Sequence, residues 1–462
     1  MTPEHDIPAG AYYGKETAKA KANFPVSGRR IPGVLVRALA LIKASAARTN
    51  RQLGLLPDDL ARAITQAADE VAAGKFDDQF VVDIFQTGSG TSSNMNANEV
   101  IAARANELLT GTRDPKSPVH PNDHVNKGQS SNDVFPTAIH LAVLTTLRED
   151  LLPALAELQQ ELERKADQFA DVVKIGRTHL QDAVPVTLGQ EFAGYAGMLA
   201  GGQDLLRAVE PALGELALGG TAVGTGLNAH PEFAARTIAD LSAKLGVPLR
   251  PARNYFDALG SRRALVAASG MLKAVACDLM KIANDLRLLS SGPRCGFAEI
   301  TLPELQAGSS IMPGKVNPVI PEAVCQVAAQ VIGNDAAVTL GGQSGLLELN
   351  VMKPLMAANV LDSVSLLANA ARLLARRCVA GIEARRERCA ELAEQSLALV
   401  TALVPRIGYD RAAKIAQRAY RENRTLREVA LEESQLTAEE LNELLDPRRQ
   451  LGPAADAQGA KR

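Results

Sequence analysis

Apolar positions recur at three- and four-residue spacing through the middle of the chain, and this periodicity predicts long helices over residues 138–169, 190–216, 261–290, 322–340 and 356–382. The 261–290 stretch contains no proline and only Gly270. Helices of this length exceed the globular mean of about 11–12 residues. They predict a bundle whose members run tens of ångströms side by side. The first 130 residues are mixed. Helical patterns over 31–53 and 58–73 alternate with polar stretches at 88–98 and 115–133, rich in Gly, Asn and Ser. Past residue 386 the pattern shortens to small helices at 426–432 and 437–445, and the last ten residues look frayed. No β-rich segment alternates with the long helices, which argues against a doubly wound α/β sheet. The expected division is a mixed helical N-terminal domain over 1–128, a central long-helix bundle over 129–386 and a small helical C-terminal domain over 387–462.

Composition narrows the function. Lys plus Arg number 50 against 52 Asp plus Glu, a net charge of −2. That balance argues against a surface built for nucleic acid or anionic lipid. Aromatic residues are 3% with no Trp, so stacking platforms for single-stranded nucleic acid are scarce. The five cysteines form no CxxC pair, and the expectation is reduced thiols without a metal or iron–sulfur framework. The first residues lack a signal-peptide layout and no run of about 18 apolar residues exists. A cytoplasmic protein is therefore expected.

Four polar segments carry candidate chemistry. Residues 308–318, Gly-Ser-Ser-Ile-Met-Pro-Gly-Lys-Val-Asn-Pro, superficially match a phosphate-binding loop. Five residues separate the glycines and Val316 follows Lys315, so the Walker pattern fails. A Gly-bounded loop presenting hydroxyls, an ammonium and an amide to a small anion is the functional alternative to a plain surface loop. Residues 176–182 place His179 after Thr178, between Arg177 and Asp182. Residues 129–133 read as an N-cap for a helix starting near Phe135, with Pro136 in its first turn. Such a helix start is also a carboxylate site. Residues 87–96 offer glycines for close backbone approach, together with hydroxyls and amides, but no dinucleotide fingerprint. His120 and His124 are four apart, yet Pro121 disfavours a helical metal pair and no further ligand is evident.

Together these segments resemble the fumarase/aspartase superfamily over essentially the full length. Residues 308–318 are similar to its signature GSSxMPxKxNP, and 87–100, 120–140 and 174–191 resemble its other active-site regions in order. The resemblance implies a mainly α, three-domain fold with a long central bundle. It also implies a homotetramer whose active sites are each assembled from three subunits, with no cofactor and no metal. It further implies reversible anti addition of a small nucleophile to fumarate through an aci-carboxylate carbanion. By motif matching, Ser309 is the base, and Lys315 and Asn317 bind the carboxylate that receives charge. Thr91, Ser130, Ser131, Asn132 and Thr178 bind the other carboxylate and the leaving group. His179 acts on the leaving-group side, with Glu322 as its acidic partner. His120, Asn122 and Asp123 match a second anion site, although Ser117 stands where many fumarases carry Arg.

The nucleophile is water or ammonia. Ser130-Ser131-Asn132, the 87–91 segment, Thr178-His179 and Lys353 are the fumarase versions, whereas 286–291, 303–308 and 318–322 look like aspartase. Residues that touch substrate weigh more than flanking ones, so hydration of fumarate to L-malate is the expected reaction and aspartate ammonia-lyase the alternative. Lyases of larger succinyl substrates fit the 87–98 motif poorly. A catalytically silent scaffold and an anion-binding protein without chemistry are the non-enzymatic readings.

Overall fold

A computed structural model describes residues 7–452. The stretch read as a frayed tail, and residues 1–6, lie outside the described residues. The described chain is mainly α-helical, with seventeen α-helices and three two-stranded sheets. Among these residues no helix is long and apolar enough to cross a membrane.

The five long helices are Leu152–Gln168, Leu188–Leu213, Arg263–Leu289, Val319–Gln343 and Lys353–Arg377, of 17 to 27 residues. At 1.5 Å per residue the longest spans about 40 Å. The predicted 138–169 helix starts earlier, as Ser131–Thr146, and continues through a π-helical turn, Leu147–Leu151, into Leu152–Gln168.

By contacts the chain forms two compact units. Among the described residues, the first draws on 7–154, Gly202–Cys277 and Val327–Asn369. Here the Gly33–Gln52 helix packs on Asp58–Ala72, on Ser131–Thr146 and on Phe233–Leu245. It buries Leu35, Leu39 and Ile42 completely. Polar cross-links join the long helices: Ser269 Oγ donates to Asp335 Oδ1 at 2.7 Å, and Asn334 Nδ2 to Ser363 Oγ at 3.1 Å. The polar 88–98 stretch is largely helical, contrary to its composition, as the start of Thr91–Thr110. Its Ser and Asn side chains are buried with partners: Ser93 Oγ donates to Gln86 Oε1 at 2.9 Å and Asn96 Nδ2 to Gln79 O at 3.0 Å.

Among the described residues, the second unit draws on Leu155–Gly201, Asp278–Gln326 and 370–452. It holds an antiparallel hairpin, Val173–Thr178 with Gln181–Thr187, where sequence periodicity had indicated no strand. Ile300–Thr301 pairs with Glu383–Ala384. The short C-terminal helices close over Leu403, Ile415, Val429 and Leu445.

Candidate active site

In the first unit, three segments converge on the start of the Ser131–Thr146 helix. Ser130 is the N-cap, so the helix begins at Ser131, four residues before the start expected near Phe135. Its Oγ accepts the Asn132 N–H at 3.2 Å, and its own N–H donates to Asp133 Oδ1 at 2.9 Å. This Ser-x-x-Asp capping box outweighs Pro136, which lies inside the helix. Pro136 has no N–H, so the Asn132 carbonyl loses its helical partner. The Lys353 ammonium takes that place, 3.4 Å from Asn132 O.

Thr91 opens its helix after Gly90, whose φ is 81°. A Cβ at Gly90 would fall 2.3 Å from the Phe135 ring, and one at Gly88 would fall 1.8 Å from Val351 O. The two glycines therefore let the 87–91 turn lie directly against the Ser131–Thr146 helix and the segment leading to Lys353. Asn94 Nδ2 donates to Ser131 Oγ at 2.9 Å, and the Lys353 N–H to Gly88 O at 3.2 Å. Thr91, Ser130, Ser131 and Asn132 are thus brought together at a helix N-terminus, where the helix dipole favours an anion.

Of the charges behind this surface, Lys353 is named in the sequence without a role, and Lys43 and Asp133 carry no assignment from it. Lys43, Lys353 and Asp133 are fully buried. Lys43 Nζ donates to Asn126 Oδ1 at 2.8 Å and Gln129 Oε1 at 3.0 Å. Asp133 Oδ2 accepts the N–H groups of Gly219 and Thr221 at 3.0 and 2.9 Å. Burial pushes both lysines down to about 7, against a pull upward from Asp133; for Lys353 the charge of Arg262 adds to the fall. Burial pushes the Asp133 carboxyl up, opposed by its three N–H donors and Lys43. With donors on both oxygens, the geometry serves the ionised carboxylate. A sequence signal existed for Lys43, a lone cation inside an apolar helical run.

In the second unit, Thr178 and His179 sit exposed at the hairpin tip. Thr178 pairs with Gln181, so His179 and Leu180 form a two-residue turn with φ of 56° and 59°. Such turns favour Asn-Gly, and successive non-glycine residues in the left-handed region are strained. The hairpin is anchored by buried charge. Arg177 Nη1 lies 2.9 Å and Lys174 Nζ 3.3 Å from Glu299, which is fully buried, and Lys174 also meets Glu191 at 2.7 Å. The Arg177 guanidinium stacks 4.0 Å over the Phe297 ring.

Ser309, Lys315 and Asn317 share one loop. Ser309 Oγ accepts the N–H groups of Ile311 and Met312 at 3.2 and 3.0 Å. The Gly308 N–H donates to Lys315 O at 2.8 Å, and Asn317 Nδ2 donates to Gly308 O at 2.7 Å, which pins the loop's two ends. Glu322 lies in the first turn of Val319–Gln343. Among the described residues no hydrogen bond joins it to His179.

His120 caps the π-helical turn Pro121–Val125. Its Nδ1 accepts the N–H groups of Asn122 and Asp123 at 3.3 and 3.2 Å and lies 3.3 Å from Asp123 Oδ2. Those two N–H groups are engaged by His120 itself.

A family profile described as Lyase matches residues 4–333, and one described as Fumarase C C-terminus matches 399–450. A protein of Nitrosomonas europaea named fumarate hydratase class II is 54% identical over 452 residues, 96% of this chain and 98% of that relative. One of Methylorubrum extorquens with the same name is 52% identical over 451 residues, 98% of this chain and 96% of that relative. The crystal structure of a recombinant class II fumarase from Schistosoma mansoni matches with a TM-score of 0.94 and 43% identity, over 97% of each chain. Identity of this extent, over nearly the whole chain and on the same fold, means that the chain belongs to the class II fumarate hydratase family of the fumarase/aspartase superfamily.

Proposed function

We propose that the protein catalyses the reversible hydration of fumarate to L-malate by anti addition, through an aci-carboxylate carbanion. The observation that carries this reading is the Ser309 hydroxyl with two backbone N–H groups directed at its oxygen. In the dehydration direction a weakly acidic proton leaves the carbon next to a carboxylate. A neutral serine is too weak a base for this step. Two N–H donors lower the cost of its alkoxide, as fixed donors do for any developing oxyanion. Lys315 and Asn317 ride on the same loop. They bind the carboxylate on which charge accumulates, Asn317 through the amide N–H that Gly308 leaves unused.

Thr91, Ser130, Ser131 and Asn132 hold the other carboxylate at the helix N-terminus, with the buried Lys353 and Lys43 side chains behind it. Thr178 joins them at the leaving hydroxyl. His179 exchanges the proton on that side and Glu322 orients it. No cofactor or metal enters this chemistry. These groups stand on separate segments, which supports a homotetramer with each site drawn from three subunits. Leu205, Leu288, Ile332 and Leu340, exposed on the long helices, supply apolar surface for that assembly. Cytoplasmic residence, the division at 128/129 and 386/387, and a second anion site at His120, Asn122 and Asp123 belong to the same proposal. The full-length relatives carry the fumarate hydratase name, so aspartate ammonia-lyase is the less favoured activity.

A Ser309→Ala variant tests the proposal. Its turnover of fumarate is expected to fall by on the order of 10²–10⁴ while the oligomer persists on size exclusion. Unchanged turnover would remove Ser309 from the base role.

A further inference from the structure

A cavity of about 380 Å³ in the first unit is lined by none of the site residues assigned above. Arg262 lines it. This residue precedes the Arg263–Leu289 helix, and its carbonyl accepts the Leu265 N–H at 3.0 Å and the Val266 N–H at 3.2 Å. Its side chain turns inward and is 3% exposed. Both Nε and Nη1 are buried without a hydrogen-bond partner among the described residues. A buried guanidinium is ordinarily paired, because leaving its donors unmet is costly.

The neighbouring carboxylates are already engaged. Glu215 meets Arg250 at 3.0 Å and Arg253 at 3.3 Å, and Asp257 meets Arg263 at 2.7 Å. Four arginines therefore line a cavity that holds two carboxylates. Burial pushes the Arg262 guanidinium down to about 10, as expected of a cation held without a close counter-charge. His140 also lines the cavity. Its Nδ1 lies 3.1 Å from both Leu213 O and Glu215 O, so that nitrogen carries the proton and donates. Burial and the Arg262 charge push the ring down to about 4, which leaves Nε2 as an acceptor.

We propose that this cavity binds a small oxyanion on Arg262, with hydrogen phosphate the best match. A guanidinium N–H left without a partner makes a short, charge-assisted bond to an oxyanion oxygen. The protonated oxygen of hydrogen phosphate is a donor that the His140 acceptor can use. The volume holds the ion with several waters, each taking roughly 30 Å³. The site also has a route to the substrate surface. Pro136 and His140 lie on the helix whose first turn carries Ser131 and Asn132, and the Arg262 charge acts on Lys353.

The test uses the full-length oligomer. Crystals are soaked in arsenate, an anomalously scattering stand-in for phosphate. In parallel, phosphate, sulfate and malonate are titrated by calorimetry at fixed ionic strength. The wild type is compared with Arg262→Gln and with Arg253→Gln, whose parent side chain is 84% exposed. The expected result is an arsenate peak within hydrogen-bond reach of Arg262. Phosphate affinity should weaken about tenfold or more in Arg262→Gln, the loss of one charge-assisted bond, and measurably in Arg253→Gln. Arg262-dependent binding of malonate in place of phosphate would assign the same oxyanion site to a carboxylate. An empty cavity in the arsenate map, with Arg253→Gln titrating like the wild type, would overturn the proposal.

Discussion

Replacing Asp133 with Asn probes the link between buried charge and the substrate-binding helix start. The carboxylate accepts three backbone N–H groups, from Ser130, Gly219 and Thr221. An asparagine can keep its oxygen on the Gly219 and Thr221 pair, but it must then aim its NH₂ at the Ser130 N–H. One hydrogen bond to a charged acceptor is lost, about 1.5–3 kcal/mol, and two donors are forced together. The charge that acts on both Lys43 and Lys353 disappears as well. Removing one partner from a buried charged cluster costs about 3–5 kcal/mol, so the total loss is expected in that range. Urea unfolding followed by circular dichroism, at fixed protein concentration and neutral pH, measures it. A loss below about 1 kcal/mol would refute the reasoning. It would mean that the carboxylate neither holds the helix start nor balances the lysines.

Two further outcomes follow from the same cluster. Gly88→Ala places a Cβ 1.8 Å from the Val351 carbonyl oxygen, so backbone must move. Overpacking of this kind costs about 1–3 kcal/mol, and displacement of Thr91 and Lys353 should raise KM for fumarate; a variant with wild-type stability and KM would show that the turn is not tightly held. Lys43 and Lys353 sit near 7 when folded and return to about 10.5 when unfolded. Between these values the unfolded chain binds more protons, so stability rises with pH, by up to about 1.4 kcal/mol per pH unit for each lysine; below pH 7 the slope vanishes and the full cost of burying both ammoniums is present. Lys43→Met should flatten the rise of the urea midpoint between pH 7 and 9.5, and an unaltered slope would assign that rise to other groups.

The long helices were legible because their apolar spacing is continuous over many turns. Three features were not, each for a physical reason. The Thr91–Thr110 helix begins with residues that usually mark loops, and it buries them with local partners, as Ser93 on Gln86 and Asn96 on the Gln79 carbonyl show. The hairpin carrying His179 lacks a Gly or Asn in its turn, so no turn signal announced it. The helix start at Ser131 was displaced toward Phe135 because Pro136 looks like a first-turn residue. The carbonyl that Pro136 frees is served by Lys353, 217 positions away from it in sequence, and no local pattern encodes that contact. The motif residues themselves were legible as motifs. What the fold adds is the buried Lys43, Asp133 and Lys353 that hold one group of them in place.

The central claim is hydration of fumarate, and the most direct measurement is ¹H NMR of the purified protein with fumarate in D₂O, with and without ammonium. Malate monodeuterated at C3 is expected as the single diastereomer of anti addition, formed without ammonium and with no aspartate when ammonium is present. Aspartate formed only with ammonium, or malate as a mixture of diastereomers, would contradict it.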